Sequence, residues 1–195
     1  MKITVGNTAP LPVPVALIGA EVDGKPNYCT VCCISVMEHL RYICIGSQRS
    51  QHTNKGIRGN RTFSVNIPSV DYVVETDHCG LVSGDDVDKS DIFRSFYGKL
   101  KTAPMIEEFP VCMECRVTRI FDDVFDDHEL IVGELVETYC EDSCLTEGKV
   151  DMAKAKLFLY AHELWNGRSY WTTGDFVAKA WDVGKQLESR RERRP

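Results

Sequence analysis

No apolar run in this 195-residue chain approaches the length of a membrane span, and the stretch from Met1 to Asn7 lacks the apolar core of a signal peptide. These absences lead to the expectation of a cytoplasmic protein that does not enter a membrane. A basic face is also missing: the formal net charge is -6, and the one basic cluster is the stretch from Ser189 to Pro195. Without its four Arg and one Glu the rest carries 19 positive and 28 negative residues, or -9, so nucleic acid is not an expected partner. Residues 188–195 are expected to be a solvated, disordered tail. There is no internal repeat and no low-complexity linker, which argues for a single domain over residues 1–187. There is no Gly-x-Gly-x-x-Gly fingerprint, so nothing requires a dinucleotide held in the Rossmann manner.

What is present is a chain with 43% hydrophobic and 27% charged residues, enough to bury one good core. Its nine Cys are an odd number without a secretion signal, which suits reduced thiols better than a disulfide framework. Cys29-x-x-Cys32-Cys33 and Cys112-x-x-Cys115 together have the look of a four-thiolate metal set. Both segments read as strands, however, where residues three apart point to opposite faces, so no metal is expected and several Cys should be small core residues.

The first two-thirds of the chain read as strands. Val13 to Val22 is an apolar run, Asp23-Gly24 is a hairpin turn, and Asn27 to Val36 is the returning strand. Arg41 to Ser47 and Thr62 to Ile67 follow, with a short helix over Thr53 to Asn60 between them. Ser69 to Cys79 reads as a second helix, residues 80–89 as a loop and Ser90 to Gly98 as a third short helix. Val111 to Phe121 and His128 to Glu137 alternate as two long half-buried strands around an acidic hairpin. Met152 to Tyr160 and Ser169 to Thr172 add shorter strands, and Phe176 to Leu187 reads as a C-terminal helix with an apolar stripe. Many antiparallel strands with few helices imply a mainly β fold, a closed or nearly closed barrel of Greek-key type with flanking helices.

Residues 46–68 carry the strongest functional signal. A strand ends in a loop of hydroxyl, amide and basic side chains, Ser47-Gln48-Arg49-Ser50-Gln51-His52-Thr53, and a helix begins there. Free amides and the helix dipole at such an N-terminus favour an anion, so a small-molecule phosphate is the first ligand to consider.

Several motifs in order resemble the flavin reductase-like family, nearest its flavoredoxin branch. They are Pro14-Val-Ala-Leu-Ile-Gly19, Asp23-Gly-Lys-Pro-Asn27-Tyr-Cys-Thr30, Ser47 to Thr53, and Phe63-Ser-Val-Asn66-Ile-Pro68. The match continues through Asp77-His-Cys-Gly80, Ser83-Gly84 with Asp88-Lys89, Ala103-Pro104, Glu107-Glu-Phe-Pro110, Glu114-Cys115 and His128 to Glu134. The resemblance implies an FMN-binding split barrel of six antiparallel strands with flanking helices, usually a homodimer with flavin near the subunit interface. It implies redox chemistry in which NADH, NADPH or another donor passes electrons through FMN to free flavin, a metal ion or a protein. A non-enzymatic carrier that holds FMN tightly is the alternative.

By the same resemblance, Ser47, Gln48, Arg49, His52 and Thr53 form the phosphate and ribityl loop. Ser83 and Lys89 approach the same phosphate, although on spacing alone Lys89 reads as a solvated loop lysine. Asn27, Tyr28, Cys29 and Thr30 border the flavin ring. Strand parity puts Asn27 and Cys29 on one face and Tyr28 and Thr30 on the other, so Asn27 and Thr30 cannot both face a pocket on a regular strand. Asn66 matches a family position, and it can equally satisfy a neighbouring backbone group. His128 stands where the family places a histidine near flavin or nicotinamide, and an ion pair with Asp126 or Asp127 is its other reading. The chain departs from the pattern where Cys32-Cys33 replace an aromatic residue, which leaves Tyr170 and Trp171 as candidates for a ring wall.

Overall fold

Asp23 and Gly24 both have positive φ, 51° and 78°, and this mirror-image turn matches the right-handed twist of the strands it joins. In a computed structural model, which describes residues 1–164, 167–185 and 187, the turn links β2 (Ala16–Val22) to β3 (Lys25–Val31), after a short β1 (Pro12–Pro14). The chain continues through β4 (Ile34–Met37), β5 (Tyr42–Gln48), α1 (His52–Asn60) and β6 (Thr62–Ile67). A 3-10 turn at Val70–Tyr72 leads into α2 (Val73–Leu81), followed by a short pair, β7 (Ser95–Phe96) and β8 (Met105–Ile106). The long strands are β9 (Val111–Phe121) and β10 (His128–Cys140). A small hairpin of β11 (Leu145–Thr146) and β12 (Lys149–Val150) precedes α3 (Met152–Ala155), β13 (Phe158–Leu164) and β14 (Gly167–Thr172).

Seven strands form one sheet in the order β3-β2-β6-β9-β10-β5-β4, and every pair is antiparallel. Its two edges, β3 and β4, are joined by only Cys32 and Cys33. Two residues span at most about 7 Å, so the sheet has to curl until its edges meet. The Gly46 amide reaching the Cys33 carbonyl at 2.7 Å carries the β4–β5 ladder into this corner. The expected single strand from Asn27 to Val36 is therefore broken at this corner. Counted as one broken strand, β3 and β4 give the six-stranded split barrel. A second sheet, β1-β13-β14, lies outside it.

Burial follows the pleat. Ala16, Ile18 and Ala20 of β2 enter a core with Ile43, Ile45, Phe63, Val65, Ile131 and, from α1, Ile57, while Leu17 faces the other way. That outer face is covered by Tyr28, Cys79, Phe93, Met105, Ile106 and Phe109. With both faces buried, β2 needs the continuous apolar sequence it has. Gly133 on β10 is required by packing, since a Cβ there would stand 2.6 Å from Cζ of the Phe63 ring.

Four expected elements are corrected. Val13 to Val22 is two strands, because β1 leaves the barrel and pairs with β13 through Pro12↔Ala161 and Val13↔Tyr160. Ser90 to Gly98 is not helical: Phe93 packs edge-on against Tyr28 and Phe109, and Phe96 against Tyr139, which holds the segment extended over the second core. Met152 to Tyr160 begins as a helix because Asp151 accepts hydrogen bonds from the amides of Ala153 and Lys154. The C-terminal helix is absent over residues 173–182, where only a 3-10 turn, Val183–Lys185, follows. Its apolar stripe finds no surface of its own chain to pack on, and a helix without a packed face is marginal in water. Residue 186 and the tail 188–195 lie outside the described residues.

Two glycines of α1 should behave oppositely. A Cβ on Gly56 would stand 3.0 Å from the Glu21 carbonyl carbon and 3.0 Å from Val22 Cγ2, whereas one on Gly59 would meet nothing within 4 Å. Gly56→Ala is expected to lose about 1–3 kcal/mol and Gly59→Ala to gain about 0.5–1 kcal/mol in denaturant unfolding, because overpacking against backbone outweighs helix propensity only at the first.

Candidate functional site

The start of α1 is the centre of the site. Gln51 is the N-cap, and no side chain caps the helix. First-turn amides without a side-chain cap, at a helix of nine residues, are an anion site if cations and polar groups converge on them. They do: the cleft beside His52 has a volume of about 330 Å³ and is lined by Asn27, Gly84 and Lys89, with Asp85 and Asp88 on its rim.

Lys89 is the unusual member. Its side chain is only 2% exposed, yet among the described residues no carboxylate pairs with it. The ammonium donates to the carbonyls of Cys79 at 3.3 Å and Val82 at 3.1 Å, at the C-terminal end of α2. An ammonium has three donors, and this leaves one. Burial pushes its pKa below the usual lysine range. An anion in the cleft would restore the balance.

Strand parity sorts β3 as expected. Asn27 is buried and donates to Thr53 Oγ1 at 2.7 Å, and the buried Cys29 thiol lies on the same face. Burial raises the Cys29 pKa, so it stays a thiol. Tyr28 and Thr30 point the other way. Tyr28 hydroxyl lies 2.7 Å from Ser95 Oγ, and Thr30 Oγ1 donates to the Thr76 carbonyl on α2. Gly84 seals the cleft wall: a Cβ there would sit 2.8 Å from Cδ2 of His52 and run into the Asn27 amide oxygen. Ser83 Oγ accepts from the Asp85 amide at 3.1 Å and shapes the loop that holds Gly84.

The loop from Gln48 to His52 connects this cleft to a larger groove. Across the β5–β10 ladder Gln48 faces His128 and Ser47 faces Glu129. Ser47 donates to Asn54 Oδ1 at 2.9 Å, and Asn54 Nδ2 donates to the Gln48 carbonyl at 2.9 Å, which ties α1 to the end of β5. His128 lines the groove with Cys32, Cys33 and Ile34, a volume of about 1160 Å³, and its Nδ1 is 2.6 Å from Asp127 Oδ1. That imidazole holds the Asp127 carboxyl below the usual carboxylate range.

Two expected ligands stand apart. The Arg49 guanidinium donates to the carbonyls of Asp122, Phe125 and Asp126, so it is a clasp for the acidic hairpin. Asn66 is fully buried, donates to the Leu17 carbonyl at 3.0 Å and Ser64 Oγ at 2.8 Å, and accepts from the Ile106 amide at 3.1 Å. It joins three strands and has no donor to spare. Among the described residues no three His, Cys, Asp or Glu side chains converge as metal ligands. Cys112 and Cys115 are both pushed up to about 12 by burial. Sequence reasoning missed Asn54, whose Asn-x-Gly spacing on a short helix gives no signal, and Glu129, a fully buried carboxylate bonded to Arg58 of α1.

The model of the flavin reductase like domain matches residues 8–163. The chain belongs to that family. Flavoredoxin from Methanosarcina acetivorans is 41% identical in sequence with a TM-score of 0.88, over 96% of this chain and 99% of that one. Flavoredoxin of Desulfovibrio vulgaris (Miyazaki F) is 27% identical with a TM-score of 0.84, over 94% and 100%. An uncharacterized protein of Methanothermobacter thermautotrophicus is 27% identical over 154 residues, 74% of this chain and 72% of that protein. The curled seven-stranded sheet is thus the split barrel of the flavin reductase like family, and no helix among the described residues is long and apolar enough to cross a membrane.

If the Arg49 clasp is what orders the hairpin, Arg49→Ala should speed amide hydrogen exchange over residues 122–127 about tenfold or more, the effect of losing hydrogen bonds from a charged donor. Exchange in the core strand β2 should stay as it is.

Proposed function

We propose that this chain binds one FMN per subunit and passes electrons from a reduced nicotinamide or another donor to an acceptor. The observation that carries the reading is the buried Lys89 ammonium, without a carboxylate partner, beside the uncapped start of α1. A phosphate dianion suits that pairing of a cation with free amides. Lys89, His52 and the first amides of α1 would hold the phosphate, with Ser83 shaping the wall. Asn27 and Thr53, and Gln48 and Ser47 across the loop, offer amide and hydroxyl partners for a ribityl chain. Cys29 and the backbone of β3 would border the ring, and His128 stands at the groove end where it can orient a donor. The flavin, when bound, supplies the electron-transfer chemistry, and the chain supplies position and charge.

Of the four Asp that line the cleft, Asp85 takes His52 Nδ1 at 2.8 Å and also Lys55, and Asp88 takes Lys25 at 2.7 Å, so these two already have a cation. The second reading, a flavoredoxin-like carrier that exchanges electrons with protein partners, is favoured by the 41% identity to the Methanosarcina acetivorans flavoredoxin across nearly the whole chain. In either reading we propose a homodimer, on the ground that the groove holding His128 is walled mainly by apolar side chains and lies open.

Purified protein should be yellow or take up FMN on titration. Lys89→Ala should weaken FMN about tenfold or more while changing riboflavin little, since only FMN carries the phosphate. The preference for FMN should also fall as alkaline pH removes the Lys89 proton, below the pH at which an ordinary lysine titrates, because the unliganded cleft depresses that pKa. Equal losses for both flavins would put the phosphate elsewhere. Rapid mixing with NADH or NADPH separates the readings: bleaching of the bound flavin supports the enzyme, and bleaching by a reduced protein donor alone supports the carrier.

A further inference from the structure

After β14 the chain carries its largest side chains into water. Phe176 is 80% exposed, Val177 94% and Trp181 97%. Three such residues within six positions, with no contact surface on their own chain, are a substantial unsatisfied apolar load. Elsewhere the molecule has a matching deficit. The groove of about 1160 Å³ runs between the outer sheet, β4 and the acidic hairpin, and its walls include Leu11, Val13, Ile34, Met37, Phe125 and Leu130.

Charge matches as well as shape. Residues 173–185 are neutral, with two Lys against two Asp, but residues 186–195 after them contain four Arg against two Glu, while residues 1–172 carry 17 Lys and Arg against 25 Asp and Glu. The groove ends at Asp126 and Asp127, on a hairpin that also carries Asp122 and Asp123. An apolar segment that leads into a basic end is complementary to an apolar groove that ends in carboxylates.

Direction favours exchange between copies. β14 runs antiparallel to β13 with Gly167 opposite Leu164 and Thr172 opposite Phe158, and the Thr173 amide bonds to the Leu157 carbonyl. The segment therefore leaves at the Leu157 end of β13. The groove residues Tyr160 and His162 lie toward the other end, so the chain departs away from its own groove.

We propose that residues 173–185 are an arm that seats in the groove of a second copy of this chain, with Phe176, Val177 and Trp181 as its anchors. This inference rests on the homodimer reading and names the contact that makes it. A two-fold exchange of arms is isologous and closes the assembly at two. Two buried Trp–Phe–Val sets and the walls they cover would remove on the order of 2,000 Å² from water, the size of a stable interface. The arm would also place an aromatic side chain in the groove that holds His128, Cys32 and Cys33.

The test uses the full chain, by light scattering and sedimentation over a range of concentrations. One variant changes the anchors, Phe176→Ser with Val177→Ser and Trp181→Ser. A second changes the groove, Leu11→Glu with Phe125→Glu. All five side chains are exposed, so circular dichroism and melting temperature should stay close to the parent's. The parent is expected to be a dimer, and each variant should raise its dissociation constant about 100-fold or more. Mixing the two variants should restore part of the association, because one intact arm then meets one intact groove. A parent dimer that the anchor variant leaves as tight, or a mixture that behaves as two separate monomers, overturns the arm while the homodimer stands. A monomeric parent overturns both.

Discussion

The structure depends on the two-residue link at Cys32 and Cys33. Because it joins the outermost strands of a seven-stranded sheet, the sheet has to close on itself, and closure puts the ends of β3, β5 and β10 side by side. An open sheet of the same strands would leave β3 and β4 as two exposed edges, a template for aggregation. Closure also determines what the loops can do. The loop after β5 has to turn into α1 against β3, so Thr53 meets Asn27 and Cys29, and the loop after α2 closes over them with Gly84.

A second constraint acts on charge. Lys89 fills two of its donors with the last carbonyls of α2, a favourable place for a cation at a helix C-terminus. That arrangement keeps a positive charge in a buried cleft without neutralising it. Among the surrounding acidic residues, Asp85 and Asp88 are bound to other cations and leave this one available. The site therefore holds an unneutralised cation in a cleft of about 330 Å³, room for one compact anionic group. The same division holds at the scale of the chain, where an acidic body carries a basic C-terminal segment.

Much of this was legible in the residues. The Asp23-Gly24 turn, the strands flanking it, α1 between β5 and β6, and the long pair β9 and β10 all follow from turn chemistry and period, because these elements are locally consistent with their final places. Ser90 to Gly98 and Met152 to Tyr160 were misread for opposite reasons. In the first, aromatic packing at Phe93 and Phe96 overrides a helical pattern; in the second, the cap at Asp151 starts a helix that composition does not announce. Among the site residues, parity correctly separated Asn27 and Cys29 from Tyr28 and Thr30. Arg49 looked like a phosphate ligand because it stands in a polar loop, and spacing could not show that three hairpin carbonyls lie within its reach.

The sequence by itself determined the strand pattern, the hairpin turn, the family and the presence of an anion-favouring helix start, because each is written in neighbouring residues. Tertiary structure alone decided that Lys89 is buried without a carboxylate partner among the described residues, that Arg49 clasps a hairpin and Asn66 a three-strand junction, and that Phe176, Val177 and Trp181 stay exposed. Desolvation and hydrogen-bond supply depend on what the rest of the chain brings within about 3 Å, and contacts between residues tens of positions apart are set by how the sheet closes.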